Sequence, residues 1–448
     1  MKIRRKALEK TPPLGRDYWR LWVAHATSNL GDGISGVAYP WLASAVTRSP
    51  ILIAMVAVIS RLPWLVFTLP AGVITDRFDR KKIIVVMDLL RGLLALTVAI
   101  AVMSQSTNLP NLDDVVTNSG AQTQWFLYIV LVVTALLFGC AEVLRDNSAQ
   151  TLLPSVVKDN QLESANGKLW SAEFVMNSFI GPPFGSFLLG IAIFLPFYVD
   201  ATTFFVSAGL IATLVPSLRP VDSTKKSGKL NFRAEIKEGF GWLWRHELLR
   251  PMAIILGILN GIGSLTAAVF ILFAQEILNT SVFIFALLGT AGAIGGTLGG
   301  ILGPKISARI GSGPSLLLVL ISGPLTSVIL GLTSSWIIFW ILSALTTVFA
   351  VLWNVITVSL RQSIIPAELL GRVNSVYRFF AWGSIPIGTL LGGAIVDLLE
   401  NLVDREFALR SPYFLSAILG FALVFFAAPK LTTARIEKAR HEGRQQAN

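Results

Sequence analysis

The sequence predicts an all-α membrane protein with twelve transmembrane helices in two pseudo-symmetric six-helix bundles. Three observations carry that expectation. Of 448 residues, 53% are hydrophobic and only 14% charged, with a mean hydropathy of +0.67, outside the range of soluble domains. Twelve apolar runs are each long enough to cross about 30 Å of hydrocarbon. Lys and Arg concentrate at alternate connections between those runs, as expected when basic loops are retained on the inner side of a membrane.

The runs lie near 19–46, 50–72, 82–104, 125–149, 164–192, 197–216, 250–274, 281–303, 313–333, 335–358, 371–398 and 411–429. Helices are required because hydrocarbon offers no partner to a free backbone donor or acceptor. The basic stretch before the first run resembles the start of a secretory signal. The following run is long and contains Asn29 and Asp32 without a small-residue cleavage site, so it reads as a retained first span. With the amino terminus inside, the even connections carry Arg77, Arg80, Lys81 and Lys82, then Lys158, the central loop from Arg219 to Arg250, Lys305 with Arg309, and Arg361. The connection 105–124 has no Lys or Arg. Arg48, Arg405 and Arg410 break the pattern. An odd number of spans would scramble it, so both termini are expected in the cytoplasm and the protein in the inner or plasma membrane.

Residues 217–249 form the expected boundary between a first bundle (1–216) and a second (250–429), followed by a basic tail (430–448). Phe232, Ile236, Phe240 and Trp244 fall on one face of a helix over 231–246, which reads as an amphipathic helix on the inner leaflet or as an ordinary linker helix. The halves repeat weakly: Pro183-Phe184-Gly185 is echoed by Pro386-Ile387-Gly388, and Gly72 with Asp76 and Arg77 by Gly300 with Pro304 and Lys305. Both offsets are near half the chain, as for two bundles related by an axis along the membrane normal.

The formal net charge of +11 fits cytoplasmic loops facing anionic lipid, and no nucleic-acid partner is expected. Cys140 is the only cysteine, and His25, His246 and His441 show no ligand spacing, so neither a disulfide framework nor a metal or other cofactor is expected. There is no phosphate-cradling loop and no catalytic triad spacing, and an enzyme is not expected.

The stretch from Gly72 to Lys82 packs Asp76, Arg77, Asp79, Arg80, Lys81 and Lys82 between two apolar runs. It resembles the loop between spans 2 and 3 of the major facilitator superfamily, Gly-x-x-x-Asp-Arg-x-Gly-Arg-Lys/Arg-Lys/Arg. Asp79 replaces the second Gly, a departure associated with the exporter branch that holds siderophore (enterobactin) and macrolide efflux proteins. The resemblance implies that Asp76 faces the start of span 11 near Gly371 to Asn374, where a helix dipole holds a carboxylate. It also implies that Arg77 and Arg80 pair with Asp146, or with Glu142, as a latch that shuts the cytoplasmic side. Setting topology is the alternative role of those cations.

Asp88 and Arg91, at i and i+3 on span 3, share a face and can neutralise each other; they extend the latch toward Glu142, Arg145 and Asp146, as a moving part or as a static pair. Gly181, Pro182, Pro183 and Gly185 lie inside span 5, where proline kinks a helix and small residues permit close packing. They resemble the Gly-Pro-x-x-Gly-Gly motif of superfamily antiporters, with Ser186 replacing the last Gly.

Ionisable groups inside a membrane are candidates for ion or proton handling. Asp32 leads, because the resemblance places spans 1 and 4 on the central cavity; Glu142 and Glu173 follow, and Asp200 and Glu276 lie nearer the outer face. Arg61 is open to two roles, counter-ion of Asp32 or anchor for an anionic solute. A buried pair that only fixes the packing of spans 1 and 2 is the competing account. Asn177, Asn260, Asn354 and Tyr377 are further cavity candidates, packing being the alternative for each. The expected protein is a proton-coupled secondary exporter of a small organic solute such as a drug, macrolide or siderophore, working by alternating access as a monomer. The alternatives are a lysophospholipid or lipid flippase of the same fold and a non-transporting sensor.

Overall fold

A computed structural model of the chain describes residues 14–67, 70–71, 74–75, 78–106, 109, 122–153, 156–157, 162–214, 232–366 and 369–447. Among them there are helices and no strands. Helices occupy all twelve predicted span positions: α1 (Arg16–Val46), α2 (Pro50–Val66), α3 (Arg80–Ser104), α4 (Trp125–Leu152), α5 (Leu162–Val175 and Gly181–Ile191, joined through Met176–Ile180) and α6 (Leu195–Ala212). After the linker helix α7 (Phe232–Arg245) come α8 (Leu249–Ala267, resuming as Phe270–Glu276), α9 (Val282–Ile310), α10 (Ser312–Leu332), α11 (Trp336–Ile364), α12 (Leu370–Leu399) and α13 (Arg405–Ala427); α14 (Thr433–Ala447) follows. Ten of these helices are long and apolar enough to cross a membrane, and α2 is a shorter apolar helix of 17 residues. The 31-residue α1 is less hydropathic because it carries the polar stripe described below.

Local chemistry sets several boundaries. Asp79, the departure in the basic loop, caps α3: its carboxylate accepts from the amides of Lys81 (2.9 Å) and Lys82 (3.4 Å). A side-chain acceptor there satisfies two of the otherwise orphaned first-turn donors. Asp404 caps α13 in the same way through Phe407, and extends that span back to Arg405. Gly311 turns the chain from α9 into α10 with φ +88°, a conformation that glycine adopts without a Cβ penalty. In α5 the π turn Met176–Ile180 directly precedes Gly181-Pro182-Pro183. The two prolines supply no amide to an α-helical ladder, which accounts for the widened turn at the predicted kink.

The halves pack alike. Gly185 of α5 abuts α1, where an added Cβ would lie 2.7 Å from the Ile34 carbonyl, and Gly181 meets Gly33 in the same way. Gly388 of α12 abuts Gly261 of α8. The echoed Pro-x-Gly elements therefore make equivalent backbone-to-backbone contacts in the two halves.

Three hydrophobic clusters fill the molecule. One belongs to the first half at its basic end and joins Tyr18, Ile84, Leu152 and Ile211. A second lies in the second half at the same end and joins Met252, Trp353, Tyr377 and Leu423. The third is common to both halves at the opposite, far end, where Trp41, Val102, Leu131 and Phe197 pack with Leu272, Phe285, Val396 and Tyr413.

The linker helix α7 is docked on the protein. Phe240 and Trp244 stack on each other and on Phe380 of α12, with centroids 5.2–6.4 Å apart, and Gly239 lies against the Arg372 backbone. The absence of a Cβ at Gly239 is what permits that approach. The Phe232 and Ile236 side chains lie outside the described residues.

Candidate functional site

A cavity of ≈ 930 Å³ runs between the halves. Its wall follows α1 from Leu21 through His25, Asn29, Asp32, Ser35 and Gly36 to Tyr39 and Ala43. These residues recur at three- and four-residue spacing, one face of a helix. Arg61 of α2, Glu142, Arg145 and Asp146 of α4, and Glu173 and Asn177 of α5 complete the polar wall. The second half contributes Phe270, Phe285, Ile385 and Thr389, toward the far end. Since the apolar cluster shared by the halves lies at the far end while their basic-end cores are separate, the cavity faces the basic end.

Asp32 sits on this wall, about a quarter exposed, with Oδ1 2.5 Å from Arg91 Nη2. Its counter-ion is Arg91 of α3 rather than Arg61, which stands apart on α2 with its side chain exposed. Sequence spacing could not pair α1 with α3; both pack on α6, and the Arg91 side chain reaches across to α1. Arg91 is 1% exposed and lies over the rings of Phe138 (4.6 Å) and Phe204 (4.0 Å), which also meet each other edge to face. It also faces Asp88 at 3.6 Å and Ser28 at 3.4 Å. Asp88, fully buried, accepts from Ser207 Oγ (2.7 Å) and lies 3.5 Å from Arg145 Nε. Arg145 in turn holds Asp146 at 3.2 Å. Buried guanidinium groups of this kind are tolerated because carboxylates and ring faces replace their hydration.

Glu142 accepts from Trp64 Nε1 at 3.4 Å, and Glu173 lies 3.3 Å from His25 Nε2. Four cavity carboxyls, Asp32, Glu142, Asp146 and Glu173, thus face two guanidinium groups, Arg61 and Arg145, beside His25. Asn177 is exposed to the cavity. Three other expected cavity residues are elsewhere. Asn260 donates to the Ala381 carbonyl (2.6 Å) and ties α8 to α12. Tyr377 is buried in the second basic-end core with the Arg361 guanidinium 3.9 Å above its ring. Asn354 is exposed on α11 but does not line this cavity.

Gly72, Asp76 and Arg77 lie outside the described residues. Of the expected latch residues that are described, Arg80 begins α3, while Asp88, Arg91, Arg145 and Asp146 tie helices of the first half to each other. At the start of α12, Arg372 pairs with Glu238 of α7 at 2.6 Å. Among the described residues, Arg48 and its neighbours link the two halves at the far end. Arg48, 5% exposed after α1, donates to Gln275 (2.7 Å) and to Glu276, both at the end of α8. Arg405 of α13 holds Glu276 (2.7 Å) and Glu400 (2.5 Å) and donates to the Arg48 carbonyl (3.2 Å). Ser49 adds a 3.0 Å bond to Asp397. The arginines that broke the charge pattern are therefore held by partners, Arg410 included through Glu406 and the Gly331 carbonyl. The residues that sequence reading missed are Ser28, Ser35, Ser207, Phe138 and Phe204. The polar stripe of α1 was a visible signal for the first two.

A family model described as Major Facilitator Superfamily matches residues 21–385. The multidrug efflux pump Tap of Mycolicibacterium fortuitum is 26% identical over 416 residues, covering 90% of this chain and 93% of that protein. Macrolide efflux protein A of Streptococcus pyogenes is 22% identical over 384 residues, covering 85% and 89%. In fold the chain is similar to a bacterial homologue of the iron transporter ferroportin in its inward-facing state, with TM-score 0.66, 15% identity and coverage of 92% of this chain and 100% of that one. It is likewise similar to a variant of the nucleoside transporter NupG, with TM-score 0.68, 10% identity and coverage of 93% and 100%. The chain belongs to the Major Facilitator Superfamily, and so is a multi-pass membrane transporter rather than an enzyme.

Proposed function

We propose that the protein is a proton-coupled secondary exporter of small organic solutes, acting as a monomer by alternating access with its basic end in the cytoplasm. The observation that carries this reading is the placement of Asp32. Its carboxyl is paired to a buried arginine on one side and faces a cavity between two pseudo-symmetric halves on the other. A carboxyl so placed can exchange its arginine for a proton without leaving the membrane interior. The efflux activity named for its relatives favours export, as does the kinked Gly181 to Gly185 segment packed on α1. The excess of cavity carboxyls favours solutes carrying positive charge, because a low-dielectric cleft of one sign concentrates the other. The loop from Gly72 to Lys82 would serve as the cytoplasmic latch once the halves close there, with Asp76, Arg77 and Arg80 as its charged members.

The test is efflux of a fluorescent organic cation such as ethidium from proteoliposomes under an imposed pH gradient. Asp32→Asn is expected to abolish gradient-driven efflux while the protein remains folded. Undiminished pH-dependent efflux in that variant would rule Asp32 out.

A further inference from the structure

Behind the cavity wall lies a carboxyl that the pairs described above do not use. Asp200, on α6, has no exposed surface. Its Oδ2 accepts from Ser35 Oγ at 2.6 Å, and its Oδ1 has no hydrogen-bond partner among the described residues. That oxygen is aimed at Gly31 of α1, where any Cβ would strike both Oδ1 and Thr203 Oγ1. The carboxyl fits here because residue 31 has no side chain.

The charged and titratable groups around it are few. From α1 it faces Asp32 and Tyr39, and from α3 it faces Arg91. Arg91 is already engaged by Asp32 and by Asp88 on its own helix, and no cation lies within ion-pair distance of Asp200 among the described residues. The Gly181–Ile191 segment of α5, which packs on the same helix, has no ionisable residue. An ionised carboxylate with one hydrogen bond and no counter-ion is poorly tolerated in such a site, whereas a neutral carboxyl is not. Ser35 lies one helical turn after Asp32 and lines the same cavity, so its hydroxyl stands between the cavity and Asp200.

We propose that Asp200 is a second proton-binding site of the carrier, loaded and unloaded from the cavity through the Ser35 hydroxyl. The step moves one proton: Ser35 Oγ accepts a proton from a hydronium ion in the cavity, which becomes water, as it donates its own to the Asp200 carboxylate at Oδ2, and the reverse returns the proton to cavity water. No heavy-atom bond changes and no co-reactant is needed. A hydroxyl suits this relay because it donates and accepts at once. The inference rests on the proton-coupled reading above and adds to it a site with no direct contact with solute.

The full chain in proteoliposomes, titrated without solute and followed by infrared difference spectroscopy, tests it. Acidification is expected to raise two neutral-carboxyl bands in the wild type, one lost in Asp32→Asn and the other in Asp200→Asn. Ser35→Ala leaves Asp200 in place, so its band should persist but exchange with deuterium more slowly; this arm stands even where Asp200→Asn does not fold. Two pH-dependent bands retained in Asp200→Asn, an Asp200 band that ignores pH, or unchanged exchange in Ser35→Ala would overturn the proposal. If the Asp32 band alone failed to respond to pH, the reading of Asp32 would fall while Asp200 stood.

Discussion

The two halves share a way of packing and differ in what they bury. Gly185 on α1 and Gly388 on α8 make the same close backbone approach, yet among the described residues only the first half encloses an ionic core. Asp32, Asp88, Arg91, Arg145 and Asp200 lie among α1, α3, α4 and α6. The basic-end core of the second half is held by apolar packing and by Arg361 over Tyr377, and its ion pairs lie at helix ends. The difference teaches that a repeated scaffold need not repeat its chemistry. Small residues determine how closely helices approach, and any pair of helices can use that device. Buried ions need a closed set of partners, and here one half supplies it.

The sharpest way to break this comparison is to remove one arginine from each half, the buried Arg91 and the half-buried Arg361. Arg91→Ala strands Asp32, leaves Asp88 with Arg145 as its one guanidinium partner, and is expected to cost about 3–5 kcal/mol, whereas Arg361→Ala loses mainly a ring contact worth roughly 0.5–2 kcal/mol. Thermal unfolding in detergent reads both, and equal losses would dissolve the contrast. The shared packing predicts the opposite pattern: Gly185→Leu and Gly388→Leu should each cost about 1–3 kcal/mol by overpacking, and a harmless change at either one would end the equivalence. At the far end, Arg48→Ala removes a cross-half link but leaves Arg405 on Glu276. It should shift the balance toward an open far end by about tenfold, or ~1.4 kcal/mol, read as faster labelling of a cysteine placed at Ala43 from that side. Unchanged labelling would remove the link from the gate.

The smallest effect is expected at His246, between α7 and α8, whose Nδ1 accepts from the amides of Leu248 and Leu249, both at 3.2 Å. Burial holds this imidazole below the ordinary histidine range, so folding favours its neutral form. Its contribution is complete above about pH 6.5, the unfolded value, and is lost as pH falls through the lower folded value. The protection of the Leu248 and Leu249 amides against hydrogen exchange, taken relative to the free-amide rate at each pH, should fall on acidification, and the response should vanish in His246→Ala, with about 0.5–1 kcal/mol at stake. A pH response that persists in the variant would assign it elsewhere.

The twelve span positions, the charge alternation, the kink at Gly181 to Pro183 and the repeat of Pro183 in Pro386 were determined by the sequence itself. Each follows from properties that run along the chain: apolar length, loop charge, missing amides and missing side chains. Even the substitution at Asp79 carries a local reason, the cap it forms on α3. The partner of Asp32, the bond of Asn260 to the Ala381 carbonyl, the burial of Tyr377 under Arg361, and the holding of Arg48 and Arg405 by Glu276 were decided by the tertiary structure alone. A carboxylate in hydrocarbon must find a cation or a proton, but that requirement does not say from which helix. Helix packing makes the choice, and it brings together residues whose separation in the chain carries no period.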